Sequence, residues 1–136
     1  MILITMCFLA VPDSPIKKIK LGMSHDAHSG GYDQSLRICT AVPEKCCNVH
    51  IGGTTSGYAY ERDVDEQCGD LLVHMATRLT AELTSTSSNQ FKPEYLQIRL
   101  ANEAMFGFIW NKFFSLTTGP TRPTLAFPGK YFCPAV

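Results

Sequence analysis

A chain of 136 residues, 45% hydrophobic and only 18% charged, has the size of a single domain (1–136) and enough apolar surface for a core, which excludes a disordered chain. Lysine plus arginine equal aspartate plus glutamate at 12 each, so no net attraction for nucleic acid arises. The one basic cluster, Lys17, Lys18 and Lys20, fits a strand edge guarded by lysines against edge-to-edge pairing.

In chain order, Ile2 to Val11 is an apolar run well short of the ~20 residues a membrane helix needs, so no stable membrane span is expected. It lacks a basic leading segment, which favours a buried first strand over the remnant of a signal sequence. A strand is expected from Ile16 to Leu21, then a polar, glycine-bearing loop from Ser24 to Asp33. Leu36 to Val42 reads as a strand stopped by Pro43, and Cys46 to Ile51 as another. Gly52 to Gly57 is a turn, after which Tyr58 and Tyr60 share one face of a short strand.

The residues from Asp63 to about Thr84 predict the principal helix. Asp63 stands as N-cap with Glu66 three residues on, and Asp65 and Glu66 suit the positive end of the helix dipole. Cys68, Leu71, Leu72, Met75, Ala76, Leu79 and Leu83 follow at intervals of three and four, one apolar stripe. Farther on, Leu96, Ile98 and Leu100 alternate with polar residues, Ala101 to Ala104 turn the chain, and Phe106, Phe108 and Trp110 alternate again. This predicts a hairpin whose aromatic face floors the core. Residues 117–129, rich in proline and glycine, read as an irregular crossing loop, and Tyr131 to Cys133 as a last short strand. The expected fold class is therefore α+β: a mainly antiparallel sheet against one amphipathic helix over about 63–84, in two layers.

The six cysteines, Cys7, Cys39, Cys46, Cys47, Cys68 and Cys133, contain no Cys-x-x-Cys pair, which argues for a disulfide framework over a zinc or redox motif. The adjacent Cys46 and Cys47 would tie two different segments to one strand. Cys68 has Cys39, Cys46 or Cys47 as strand partners, and Cys7 with Cys133 would staple the termini. Fifteen connectivities exist for six cysteines, and spacing does not choose among them.

Four constellations invite chemistry. His25, Asp26 and His28, with Asp33 or His50, hold metal-ligand types, but in a loop that supplies half a site, so no metal and no cofactor is assigned. Cys46 and His50 would make a thiol nucleophile and base, yet a strand spaces them beyond direct hydrogen-bond reach. Glu66, Asp70, His74 and Arg78 recur every four residues, which on a helix makes solvent-side ion pairs rather than an acid–base site. The glycine-rich stretch 52–57 lacks the lysine and helix of a phosphate loop. Tyr58, Tyr60 and Arg62, with His25 and His28, are the binding residues of choice, because tyrosine and arginine anchor protein interfaces.

Thr54-Thr55-Ser56-Gly57, followed by the acidic segment and cysteine from Asp63 to Cys68 with Leu71 and Leu72, resembles the pattern of small secreted fungal effectors of the necrosis-inducing and killer-toxin-like type. Arg99-Leu100-Ala101 and Phe106-Gly107-Phe108 are similar to that family's late strand pair, with Ala104 and Met105 where the pattern carries a cysteine. The resemblance implies a secreted α/β protein that binds a host or rival-cell molecule, with no catalytic residue to carry over. The expected function is thus a secreted, disulfide-stabilised, non-catalytic protein with a protein partner, of effector, toxin or inhibitor type. A metal-binding or hydrolytic protein built on His25 and His28 is the first alternative, and an intracellular interaction domain with reduced cysteines the second.

Overall fold

A computed structural model describes residues 13–23, 31–54, 59–73, 78–85, 93–110 and 119–127. In chain order these form β1 (Ser14–Met23), β2 (Gly31–Ala41), β3 (Glu44–Thr54), β4 (Ala59–Asp63), α1 (Asp65–Cys68), β5 (Leu72–Val73), β6 (Leu79–Ser85), β7 (Pro93–Leu100), β8 (Met105–Ile109), β9 (Gly119–Thr121) and β10 (Thr124–Phe127). The first sheet runs β10-β8-β7-β1-β4, with β5 also against β1; the second runs β3-β2-β6-β9. Every pairing is antiparallel.

Strict alternation makes each sheet two-faced. In the second sheet Leu36 and Ile38 of β2, Cys47, Val49 and Ile51 of β3, and Leu79, Ala81 and Leu83 of β6 are buried. Ser35, Arg37, Asn48, His50 and Thr80 between them are exposed. The first sheet contributes Ile16, Ile19 and Leu21, then Leu96, Ile98 and Leu100, then Phe106 and Phe108, to the same buried cluster. The fold is therefore a mostly antiparallel β structure of two sheets around a common core.

The expected principal helix over 63–84 does not exist, and the α+β class falls with it. Among the described residues helix survives only as α1, four residues long, followed by strands β5 and β6. Asp63 is no N-cap: it belongs to β4, opposite Lys18, with its carboxylate 3.8 Å from the Lys18 ammonium. The cap position is Val64, which makes no side-chain cap bond. Past Cys68, a side chain at Gly69 would run into the Asp65 carbonyl. The apolar stripe has two valid readings, and the strand reading wins. Leu71 and Val73 are buried while Leu72 is 56% exposed. Leu79, Ala81 and Leu83 face the core with Thr80 outside. A strand at 79–85 gains ladders on both sides, to β2 and to β9, which a helix could not use.

The hairpin of β7 and β8 forms as its alternation predicts, with Ile98 opposite Phe106 and Leu96 opposite Phe108. Its turn is closed by the Leu100 N–H donating to the Ala104 carbonyl at 2.8 Å, with Glu103 at a positive φ of 76°. Trp110 is buried beyond the strand, and its indole N–H donates to Thr121 Oγ1 at 3.1 Å. The Thr121 hydroxyl in turn donates to the Leu83 carbonyl at 3.3 Å, so the tryptophan fastens the first sheet to β9 of the second. The stretch 117–129 is a crossing but not an irregular one where described. β9 pairs in one sheet and β10 in the other, joined through Arg122 and Pro123.

Strand β1 is interior rather than an edge, with β7 on one side and β4 and β5 on the other. Its apolar phase slips between Ile16 and Ile19 because Lys17 is an extra residue: Ile16 faces Leu100 and Lys18 faces Arg99. The Lys17 carbonyl accepts the Val64 N–H at 2.8 Å, which seats α1 against the bulge.

Two disulfides brace the sheets. Cys39 and Cys46 are register partners on the outer face of β2 and β3 and are bonded to each other. Cys47 points into the core and bonds Cys68 of α1. The vicinal pair therefore reaches two segments from opposite faces of one strand, and among the described residues no cysteine is free. Cys7 and Cys133, the run Ile2–Val11 and the segment 131–133 lie outside the described residues.

Opposite Gly22, the Tyr95 ring occupies the space where a Cβ would stand. Gly22→Ala should lower stability by about 1–3 kcal/mol through overpacking, read as a fall in the thermal midpoint. An unchanged midpoint would show that the ring does not rest there.

Candidate functional site

Of the residues expected to bind, the structure brings Tyr60 and Arg62 together on β4. Register places them opposite Leu21 and Ile19, so both project toward the interior at the rim of the first sheet. Tyr60 packs half-buried against the core. Arg62 donates through Nη1 to the Tyr60 hydroxyl at 3.1 Å and to the His50 carbonyl on β3 at 3.2 Å. These bonds join the β4 edge of one sheet to the β3 edge of the other, alongside the Cys47–Cys68 bond. The pair closes a seam, while Arg62 remains exposed to solvent. Tyr58, His25 and His28 lie outside the described residues, as do Asp26 and His74.

The other constellations are dispersed where they are described. Cys46 is bonded to Cys39, so it offers no thiol to His50. With α1 ending at Cys68, the row Glu66, Asp70 and Arg78 shares no helix face; Arg78 precedes β6, where its carbonyl accepts the Ala41 N–H at 3.2 Å. Gly52 and Gly53 belong to the end of β3 rather than to a phosphate cradle. Among the described residues no group of three or more His, Cys, Asp or Glu side chains is placed to hold a metal ion. No helix among them is long and apolar enough to cross a membrane.

Sequence reasoning passed over three surfaces. The first is the tip of the β2–β3 hairpin. Val42 stands 91% exposed there, flanked by exposed Ala41, Pro43, Glu44 and Lys45. The Cys39–Cys46 bond clamps its base. Within the tip, the Thr40 hydroxyl donates to the Pro43 carbonyl at 2.9 Å and accepts the Lys45 N–H at 3.3 Å. A valine held in solvent by a local disulfide and two hydrogen bonds is ordered before any partner arrives, which lowers the entropic cost of binding. The signal lay in Cys39 and Cys46 bracketing Val42-Pro43, but only their pairing gives that spacing a meaning.

The second is the outer face of the second sheet, an open depression of about 260 Å³ bordered by Arg37, Cys39, Glu44, Thr80, Glu82 and Arg122. Glu82 accepts from Arg122 Nε at 2.8 Å, an exposed pair of small energetic weight. The third is the outer face of the first sheet, where register aligns Asp63, Lys18 and Arg99 with Met105 in one row, and Glu61, Lys20 and Gln97 in the next. Lys18 lies 3.3 Å from Glu61 and 3.8 Å from Asp63.

Compared with known protein families, curated proteins and solved structures, the chain finds no match in any of the three.

Proposed function

We propose that this is a secreted, disulfide-stabilised protein that acts without catalysis, by binding a host or competitor protein in the manner of an effector, toxin or inhibitor. The observation that carries the reading is the pair of disulfides. One ties α1 to β3 and the other clamps the solvent-facing Val42 tip. Such bonds persist in oxidising surroundings and are rare where thiols are kept reduced. A rigid scaffold with a preordered apolar knob suits recognition more than turnover. The likeness to necrosis-inducing and killer-toxin-like proteins belongs to the same proposal, although its amphipathic helix is here α1 followed by strands.

Tryptic mapping without reduction tests it, on protein taken from the medium of cells that make it naturally. Cleavage after Arg37, Lys45, Arg62 and Arg78 leaves Cys39, Cys46 with Cys47, and Cys68 on three peptides. We expect them to travel as one disulfide-linked assembly, separating only on reduction. Recovery of the chain solely inside cells, with these four thiols free, would overturn the proposal.

A further inference from the structure

The geometry points to the outer face of the first sheet as a binding site for an acidic polysaccharide, a sugar chain bearing carboxylate or sulfate groups. This inference rests on the binding role proposed above and names a ligand class for it.

Lysines on an edge strand need no further role, but β1 is interior, so Lys18 and Lys20 guard no edge. Lys18 instead stands directly across from Arg99, and like charges in opposed positions destabilise a sheet. Glu61 and Asp63 both turn to Lys18. Among the described residues, Lys20 and Arg99 have no carboxylate within ion-pair distance. Lys18, Lys20, Gln97, Arg99 and Met105, together with Glu61, line a cleft of about 40 Å³. A single water needs only about 10–15 Å³, so the cleft has room for the oxygens of one carboxylate or sulfate. The Glu61 carboxylate is taken up by Lys18 at 3.3 Å, and the rim still offers the Lys20 ammonium and the Arg99 guanidinium, whose charge-assisted bonds to such oxygens are the strong ones, with the Gln97 amide beside them.

The same face carries an aromatic platform. Tyr95 lies on β7 with Gln97 and Arg99, all three side chains on the outer surface. Its ring crosses over Gly22 on the neighbouring strand and remains half-exposed. A pyranose ring presents C–H groups of slight positive charge, which pack favourably on the negative face of an aromatic ring. Tyr95 and Arg99 are about 13 Å apart along the strand, so an extended oligosaccharide can stack on the first while its acidic group meets the second. Glu61 and Asp63 lie on β4, across β1 from Arg99, so the acidic group of the ligand is met on the β7 side of the face.

Affinity electrophoresis of the full oxidised chain, in native gels containing polygalacturonate, heparin or neutral dextran, tests the site. We expect retardation by at least one acidic polymer and none by dextran. The double variant K20A/R99A, altered only at solvent-facing positions, should weaken the apparent Kd about tenfold, equivalent to ~1.4 kcal/mol. Y95L, checked for an intact fold by its thermal midpoint, should weaken it as well. Absence of retardation for the unaltered chain, or equal retardation of K20A/R99A, would overturn the inference. So would an unchanged Y95L combined with tight binding to phosphatidylserine vesicles, which would assign the face to a membrane. If polysaccharide binding fails while the three-peptide disulfide assembly is recovered from secreted protein, only this site falls and the secreted binding role stands.

Discussion

Phe106→Ala should lower the stability of the fold by about 3–5 kcal/mol, the cost of a lost aromatic ring plus the cavity it leaves. Phe106 is fully buried and heads the largest such side chains of the core. It sits on β8, opposite Ile98 of β7, and faces the cluster that both sheets share. Its strand is held by β7 on one side and β10 on the other, so the backbone cannot easily close on the gap. Domains of this size have about 5–15 kcal/mol in total, so the variant would lose a large fraction of it. Urea titration followed by Trp110 fluorescence reads the change as a lower midpoint at unchanged slope. Ile109 of the same strand, 52% exposed, is the control, and its alanine variant should shift stability by no more than about 0.5 kcal/mol. A Phe106→Ala loss below about 1 kcal/mol would mean that the two sheets do not meet on this ring.

The double variant C47A/C68A should cost about 3 kcal/mol, because its bond closes a loop with a sequence separation of 21 and thereby restricts the unfolded chain. Both sulfurs are buried, so the alanines also leave a small void. The bond ties α1 to β3, in line with the seam that Arg62 closes through the His50 carbonyl. Its loss should loosen that edge first. C39A/C46A should cost less, since the separation is 7 and the β2–β3 register runs unbroken from Gly31 and Thr54 to Ala41 and Glu44. Thermal unfolding of the two double variants beside the unaltered chain ranks them. The opposite order would place the main covalent brace at the hairpin tip rather than at the seam.

How far the fold is legible in the amino acids depends on how many structures a pattern allows. Leu96, Ile98 and Leu100, then Phe106, Phe108 and Trp110, alternate too closely for a helix. Their hairpin and its buried aromatic face follow from period alone. Cys46 and Cys47 must point to opposite sides of a strand, so separate partners for them were legible, although Cys47 as the partner of Cys68 was one choice among three. The candidate binding residues were legible only as types. Tyr60 and Arg62 have the chemistry of interface anchors, but their register opposite Leu21 and Ile19 turns them to the seam.

By itself, then, the sequence determined an apolar core, the alternating strands and a cysteine-braced chain. These depend on composition and on neighbours close along the chain. Tertiary structure alone decided the fold class, because Leu71, Leu79 and Leu83 satisfy helical spacing and strand alternation equally, and the ladders to β2 and β9 break the tie. It also decided what surrounds Lys18 and Lys20. A strand's place at the edge or in the middle of a sheet depends on segments far away in sequence, here β7 and β4, and so does the meeting of those lysines with Arg99.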